Sequence, residues 1–249
     1  MKKRVGLIGK GKWGSKIRSK LSRLASLKFV SGRKKNYLKL IKKNELDWIF
    51  IATPNSTHYQ IVKKCLNLNL NVFCEKPITE NFKKAKELFE IAKKNKVNLY
   101  VSDVYAFHKK KINKIFPYNK IKREKNIKGK DNEFFFRFMY HDISILYSHI
   151  KDKKLRSIKL NQNKKKKISY ININFKDKTN FLFEYNLKSR IKRHTINDIN
   201  FITKDDALSK MINSLLYKKI DIRLNNSKAL FILKFLTFLV GSKKSKFKI

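Results

Sequence analysis

The chain has 249 residues, with 62 Lys or Arg against 18 Asp or Glu and a formal net charge of +44. That length suits one large domain or two modest ones with buried cores. Two cysteines, Cys65 and Cys74, lack metal-ligand spacing, which argues against a disulfide framework and for a reducing compartment.

The charge does not by itself call for a polyanionic partner. Lysine carries the excess, and asparagine, isoleucine and phenylalanine rise with it, all four being residues of A- and T-rich codons. The basic residues are spread along the whole chain, and the densest run, 164–167, falls between two strand-like segments as a solvated turn. No specific nucleic-acid partner is expected, since electrostatic sticking needs no specificity. The apolar stretch 229–240 is interrupted by Lys234 and is too short for a membrane span, which needs about 20 residues. The expectation is a cytoplasmic protein without membrane contact and without a metal site.

In chain order, short apolar runs at 4–8, 27–30, 48–52, 71–74 and 98–104 alternate with amphipathic stretches. This predicts a parallel sheet with crossover helices. Ile17, Leu21 and Leu24 share one helical face, as do Leu88, Ile91 and Ala92 in a helix starting near Thr79 or Asn81. The lysine-rich stretch 109–132 is weakly patterned and reads as a junction. Alternating segments at 167–176, 180–187, 191–196 and 200–203 then predict antiparallel strands, followed by helices over 207–217 and 227–240. The fold expected is α/β: a dinucleotide-binding domain over 1–108, and an α+β domain over 109–249 with a mostly antiparallel open-faced sheet of reduced size.

Gly9, Gly11 and Gly14 lie in Gly9-Lys10-Gly11-Lys12-Trp13-Gly14, between a predicted strand and a predicted helix. In that context the first glycine permits a tight turn, the second admits a pyrophosphate, and the third lets the helix lie close to the sheet. An NAD-preferring site carries a carboxylate about 20 residues further on. Here the second strand ends Val30-Ser31-Gly32-Arg33-Lys34-Lys35, without one. Ser31 and Arg33 suit a 2′-phosphate, so NADP(H) is preferred, with NAD(H) possible.

Ala52-Thr53-Pro54-Asn55-Ser56-Thr57-His58, together with Cys74-Glu75-Lys76-Pro77 and His141-Asp142-Ile143-Ser144, resembles the glucose–fructose oxidoreductase / inositol dehydrogenase / MocA family. The resemblance implies a two-domain Rossmann-type oxidoreductase, called Gfo/Idh/MocA for short. It implies that Lys76 meets the substrate hydroxyl beside the nicotinamide and that His141 assists in proton transfer from the second domain. Gly9, Gly11, Lys12, Trp13, Gly14, Ser31, Arg33, Thr53, Pro54, Asn55, His58, Glu75 and Lys76 are then the cofactor-side candidates, with a local role for His58, closing the start of the third helix, as the other reading of that residue. Tyr105, Arg137 and Asp142 are the substrate-side candidates, the substrate being sugar-like, and a homo-oligomer is expected by the same resemblance.

One departure stands out. Many members carry an aspartate four residues before the histidine, where this chain has Arg137. A guanidinium stays protonated and cannot act as a base. Arg137 either holds an anionic substrate group, or the site binds nucleotide without efficient turnover. The usual glycine-bearing first strand of the second domain is also not evident between Tyr105 and His141.

Overall fold

The computed structural model describes residues 1–32, 36–126, 135–163 and 165–241. They divide into two compact units: residues 1–107 with 206–234, and residues 108–205 with 235–241.

The first unit holds five parallel strands: β1 (Arg4–Ile8), β2 (Ser26–Ser31), β3 (Trp48–Ile51), β4 (Val72–Cys74) and β5 (Leu99–Val101), in spatial order β2-β1-β3-β4-β5. Helices α1 (Lys12–Leu24), α2 (Tyr37–Lys42), α3 (Asn55–Asn67) and α4 (Phe82–Lys94) make the crossovers. The central strand β3 is apolar at every position because both faces are covered: Trp48, Ile49, Phe50 and Ile51 are all buried. Phe50, Phe73 and Tyr100 sit in register on β3, β4 and β5 and stack, with centroids 4.8 Å and 6.0 Å apart. Asn81 caps α4 by accepting from the Lys84 N–H at 3.0 Å, as the sequence suggested.

The chain leaves β5 earlier than the apolar run 98–104 implies. Ser102 N–H still reaches the Cys74 carbonyl, after which residues Val104–Phe107 close a 3₁₀ turn. The open edge of β5 is then covered by a side chain. Asn225 accepts from Val101 N–H at 2.9 Å and donates to Val101 O at 3.0 Å, standing in for a neighbouring strand.

Helix α6 (Ala207–Tyr217), which the sequence reading assigned to the second domain with everything after residue 109, belongs to the first unit. Its Leu208, Met211, Ile212, Leu215 and Leu216 join the core formed by Val5, Leu7, Ile17, Leu21 and Phe50. Lys20 pairs with Asp206 at 2.7 Å and the Tyr217 hydroxyl donates to Leu24 O at 2.6 Å. The apolar stripe of α6 says only that it is buried; which partner buries it is a tertiary matter. The last helix, α7 (Ile222–Gly241), starts earlier than expected and is divided between the units after Lys234.

The second unit contains a six-stranded sheet ordered β11-β10-β6-β9-β8-β7. Its strands are β6 (Tyr118–Asn126), β7 (Leu155–Asn163), β8 (Ile168–Phe175), β9 (Asn180–Asn186), β10 (Lys188–Ile196) and β11 (Ile199–Asn200). All pairs are antiparallel except β6 with β9. A π-helical turn, Phe135–Met139, leads into α5 (Tyr140–Ile150).

Strand β6 corrects the reading of 109–132 as a junction lacking the second domain's first strand. Its inward residues are Asn119, Ile121 and Arg123, two of them polar, so apolar alternation cannot reveal it. Both polar residues find partners where they lie. Asn119 donates to Phe116 O and accepts from Phe116 N–H, while Arg123 reaches Asp142.

Candidate cofactor and catalytic site

In the first unit the strand order reverses between β1 and β3, and open α/β sheets bind ligands beyond the carboxyl ends of the strands at such a switch. Every cofactor-side sequence motif falls at those ends. Gly9 follows β1, residues 52–55 follow β3, and residues 75–77 follow β4.

The three glycines are used differently. Gly9 has φ +132°, and a Cβ there would lie 2.3 Å from the Ala52 carbonyl oxygen, so the ends of β1 and β3 touch through it. At Gly14 a Cβ would lie 2.2 Å from the Gly9 carbonyl oxygen, which is the close packing of helix on turn. At Gly11 a Cβ would meet nothing within 4 Å. Here the backbone borders open space at the uncapped N-terminus of α1, whose first turn carries no acidic residue. That open turn, at a helix N-terminus with no side-chain cap, fits a dinucleotide diphosphate. Lys12 and Trp13 are exposed beside it, the Lys16 ammonium standing 4.7 Å from the Trp13 ring centroid.

On the second loop Thr53 is half-buried while Pro54 and Asn55 are exposed, available to a ligand. His58 is not. It is fully buried, one ring nitrogen lying 2.8 Å from Pro77 O and the other 2.8 Å from Thr53 O. This overturns its place among the cofactor contacts: the imidazole ties the loop after β3 to the loop after β4. Burial lowers its basicity more than the two carbonyls restore it. A neutral ring donates to one of the two carbonyls, and only protonation lets it donate to both.

Lys76 is half-buried at the end of β4, joined to Pro77 by a cis peptide bond. Glu75 beside it is 9% exposed, and its Oε1 is buried without a hydrogen-bond partner. Burial raises the Glu75 carboxyl above its usual range, against the opposing pull of the Lys76 charge and a hydrogen bond from Ser102. The pair therefore couples a reluctant carboxylate to the lysine proposed for proton transfer. Cys74 is buried and its thiol is pushed well up by burial, as befits a packing residue.

One further cofactor-side expectation changes. Ser31 ends β2 fully buried, its hydroxyl donating to Gly32 O at 3.0 Å, so it shapes the turn and exposes no group to a 2′-phosphate. Arg33 lies outside the described residues. Tyr105 is half-buried in the 3₁₀ turn after β5.

His141, Arg137 and Asp142 belong to the second unit. His141 is partly exposed on the first turn of α5, its ring edge-on to Tyr140. Arg137 is exposed, with its guanidinium 5.4 Å from the Phe138 ring centroid. Asp142, expected to face substrate, is completely buried. It accepts from Arg123 Nη2 at 2.6 Å, His194 Nε2 at 2.7 Å and Tyr185 Oη at 2.7 Å. Burial opposes its charge, yet the Arg123 guanidinium and the His194 ring hold its pKa at about 2. A residue with no accessible surface and three protein donors anchors its helix. Arg123, Tyr185, His194 and Asn225 sit in no sequence motif, and only strand register or helix docking singles them out.

Residues 3–103 match the model of the oxidoreductase family with an NAD-binding Rossmann fold. Over this segment, about two fifths of the chain, it is similar to the Gfo/Idh/MocA oxidoreductases. Among curated relatives, it is 36% identical over 64 residues to a D-xylose 1-dehydrogenase (NADP+) of Hypocrea jecorina, covering 26% of this chain and 16% of that protein. The stretches matched span no more than about a quarter of the curated relatives' own length. Over the whole chain the likeness is one of fold. A myo-inositol 2-dehydrogenase from Lactobacillus plantarum superposes with a TM-score of 0.80 at 13% identity, covering 98% of each chain. GenD2 from gentamicin A biosynthesis, solved in complex with NAD, gives a TM-score of 0.80 at 11% identity, covering 100% of this chain and 96% of that one. No described helix is long and apolar enough to cross a membrane. Among the described residues no His, Cys, Asp and Glu cluster could hold a metal ion.

Proposed function

We propose that the protein is an NADP(H)-preferring oxidoreductase acting on a secondary alcohol or ketone of a sugar or sugar derivative. The open cradle at Gly11 carries this reading, placed where strands β1 and β3 part and on the same sheet edge as Lys76. Gly9, Gly11, Gly14 and the N-terminus of α1 hold the diphosphate, and Lys12 adds charge at the same helix end. Thr53, Pro54 and Asn55 border the nicotinamide half. When bound, the nicotinamide supplies the hydride acceptor or donor. Lys76 holds or gives the proton at the substrate oxygen, Glu75 balances its charge, and His141 is the second proton-transfer candidate. The D-xylose dehydrogenase relative supports both the sugar-like substrate and NADP. The basic residues at 33–35, with no carboxylate there, support NADP from the sequence side.

The test is a fluorescence titration with NADPH and NADH, followed by a screen of NADPH consumption against keto-sugars. Tighter NADPH binding and consumption with one sugar class are expected, and Lys76→Ala should abolish turnover while sparing nucleotide affinity. Normal turnover in that variant removes Lys76 from the chemistry. Arg137 supports a second reading, a family member that binds nucleotide without efficient turnover, because it replaces a carboxylate with a permanent cation. NADPH binding with no consumption across the screen would favour that reading.

A further inference from the structure

Asp142 is the residue after His141, and its partners come from three strands at once. Arg123 on β6 lies opposite Tyr185 on β9 and opposite His194 on β10. These three side chains form a polar row across the buried face of the sheet, and Asp142 of α5 accepts a hydrogen bond from each. The same Arg123 guanidinium lies 5.7 Å from the centroid of the Phe138 ring, in the π-helical turn before α5. One side chain therefore grips the chain three residues before His141 and one residue after it.

We infer that Arg123, through its buried cluster with Asp142, Tyr185 and His194, is the positioning residue that fixes the direction of the His141 ring. The inference rests on the reading that His141 takes part in proton transfer. Stability alone gives little reason for such a cluster. A buried ion pair seldom outperforms well-packed apolar residues of the same volume, and what it offers in exchange is a single geometry. That geometry is what a half-exposed side chain at the start of a helix lacks. Irregular π turns recur where a helix must aim a functional group, and here the turn ends two residues before His141. The His194 ring, which reaches Asp142, is tilted against Phe201 with centroids 5.4 Å apart.

The experiment uses the full chain without added nucleotide and follows the His141 ring resonances through a pH titration by NMR, in wild type, Arg123→Met, Arg123→Lys and Tyr185→Phe. Arg123→Met should move the His141 shifts and titration midpoint, Tyr185→Phe should move them the same way by less, and Arg123→Lys should restore them partly. Once a substrate is known, turnover in Arg123→Met should fall by about 100-fold, as misplaced catalytic groups cause, with nucleotide affinity unchanged. Should Arg123→Met fail to fold, Tyr185→Phe alone decides, because it removes one hydroxyl and no volume. Unchanged His141 resonances in the folded variants overturn the inference whatever the activity. A His141→Asn variant with full turnover would instead remove His141 from the reaction, leaving the NMR result to judge the positioning by itself.

Discussion

The three glycines of the first loop should fail in different ways when each is given a methyl group. At Gly9 the added Cβ meets a carbonyl oxygen at 2.3 Å on a backbone with φ +132°, so strain and overlap act together. The sparsely populated conformation costs about 1–3 kcal/mol, and overpacking adds about 1–3 kcal/mol. Gly9→Ala should therefore lose about 2–6 kcal/mol of stability, a large share of what a domain has. Gly14→Ala, blocked at 2.2 Å by backbone, belongs in the same class. Gly11 has φ −73°, a conformation any residue adopts, and open space where the Cβ would go. A Gly→Ala change at such a site gains about 0.4–1 kcal/mol through the unfolded chain. The poorer capping by alanine at a helix start takes back a similar amount, so the net change should stay within about 1 kcal/mol. Gly11→Ala should thus unfold in urea like the parent protein while losing NADPH affinity, because its methyl occupies the space reserved for the diphosphate. Paired chemical denaturation and fluorescence titrations would test this. If Gly11→Ala binds NADPH normally, or unfolds as early as Gly9→Ala, the assignment of that space to a nucleotide is wrong.

Acid should destabilise the protein in two stages. His58 and His194 are both less basic than usual, chiefly through burial, so the unfolded chain takes up their protons more readily. Stability should decline as pH drops below about 6.5. Asp142, held at about 2, contributes about 2 kcal/mol that is fully present above pH 4 or so and is lost as pH falls toward 2. Urea midpoints measured from pH 8 to pH 3 would show both phases, and Asp142→Asn should shrink the second, to which Asp177, Asp47 and Asp206 also contribute. His58→Ala should cost about 1–3 kcal/mol through orphaned carbonyls and weaken NADPH binding together with turnover, since both loops lose their tie. A variant with parental affinity and stability would show that tie to be idle. Asn225→Ala uncovers both main-chain groups of Val101, so the same loss of about 1–3 kcal/mol is expected. Faster amide exchange at Val101 is the confirming readout, and unchanged exchange would contradict the edge-covering role.

Much of the first unit was legible in the amino-acid order alone. Strands covered on both faces read as unbroken apolar runs, glycine spacing marks the loop after β1, and the Glu75-Lys76-Pro77 triplet marks the end of β4, because these are local demands on backbone and side chain. Local patterning could not see β6, whose inward positions are Asn119 and Arg123 as well as Ile121. Nor could it give α6 to the first core, tie His58 to the loop after β4, or hide Ser31 and Asp142 from ligand. Each of those outcomes depends on a partner distant in the chain. A polar side chain is tolerated inside only where another element brings the matching donor or acceptor, and that pairing exists only once the strands are in register and the helices have docked.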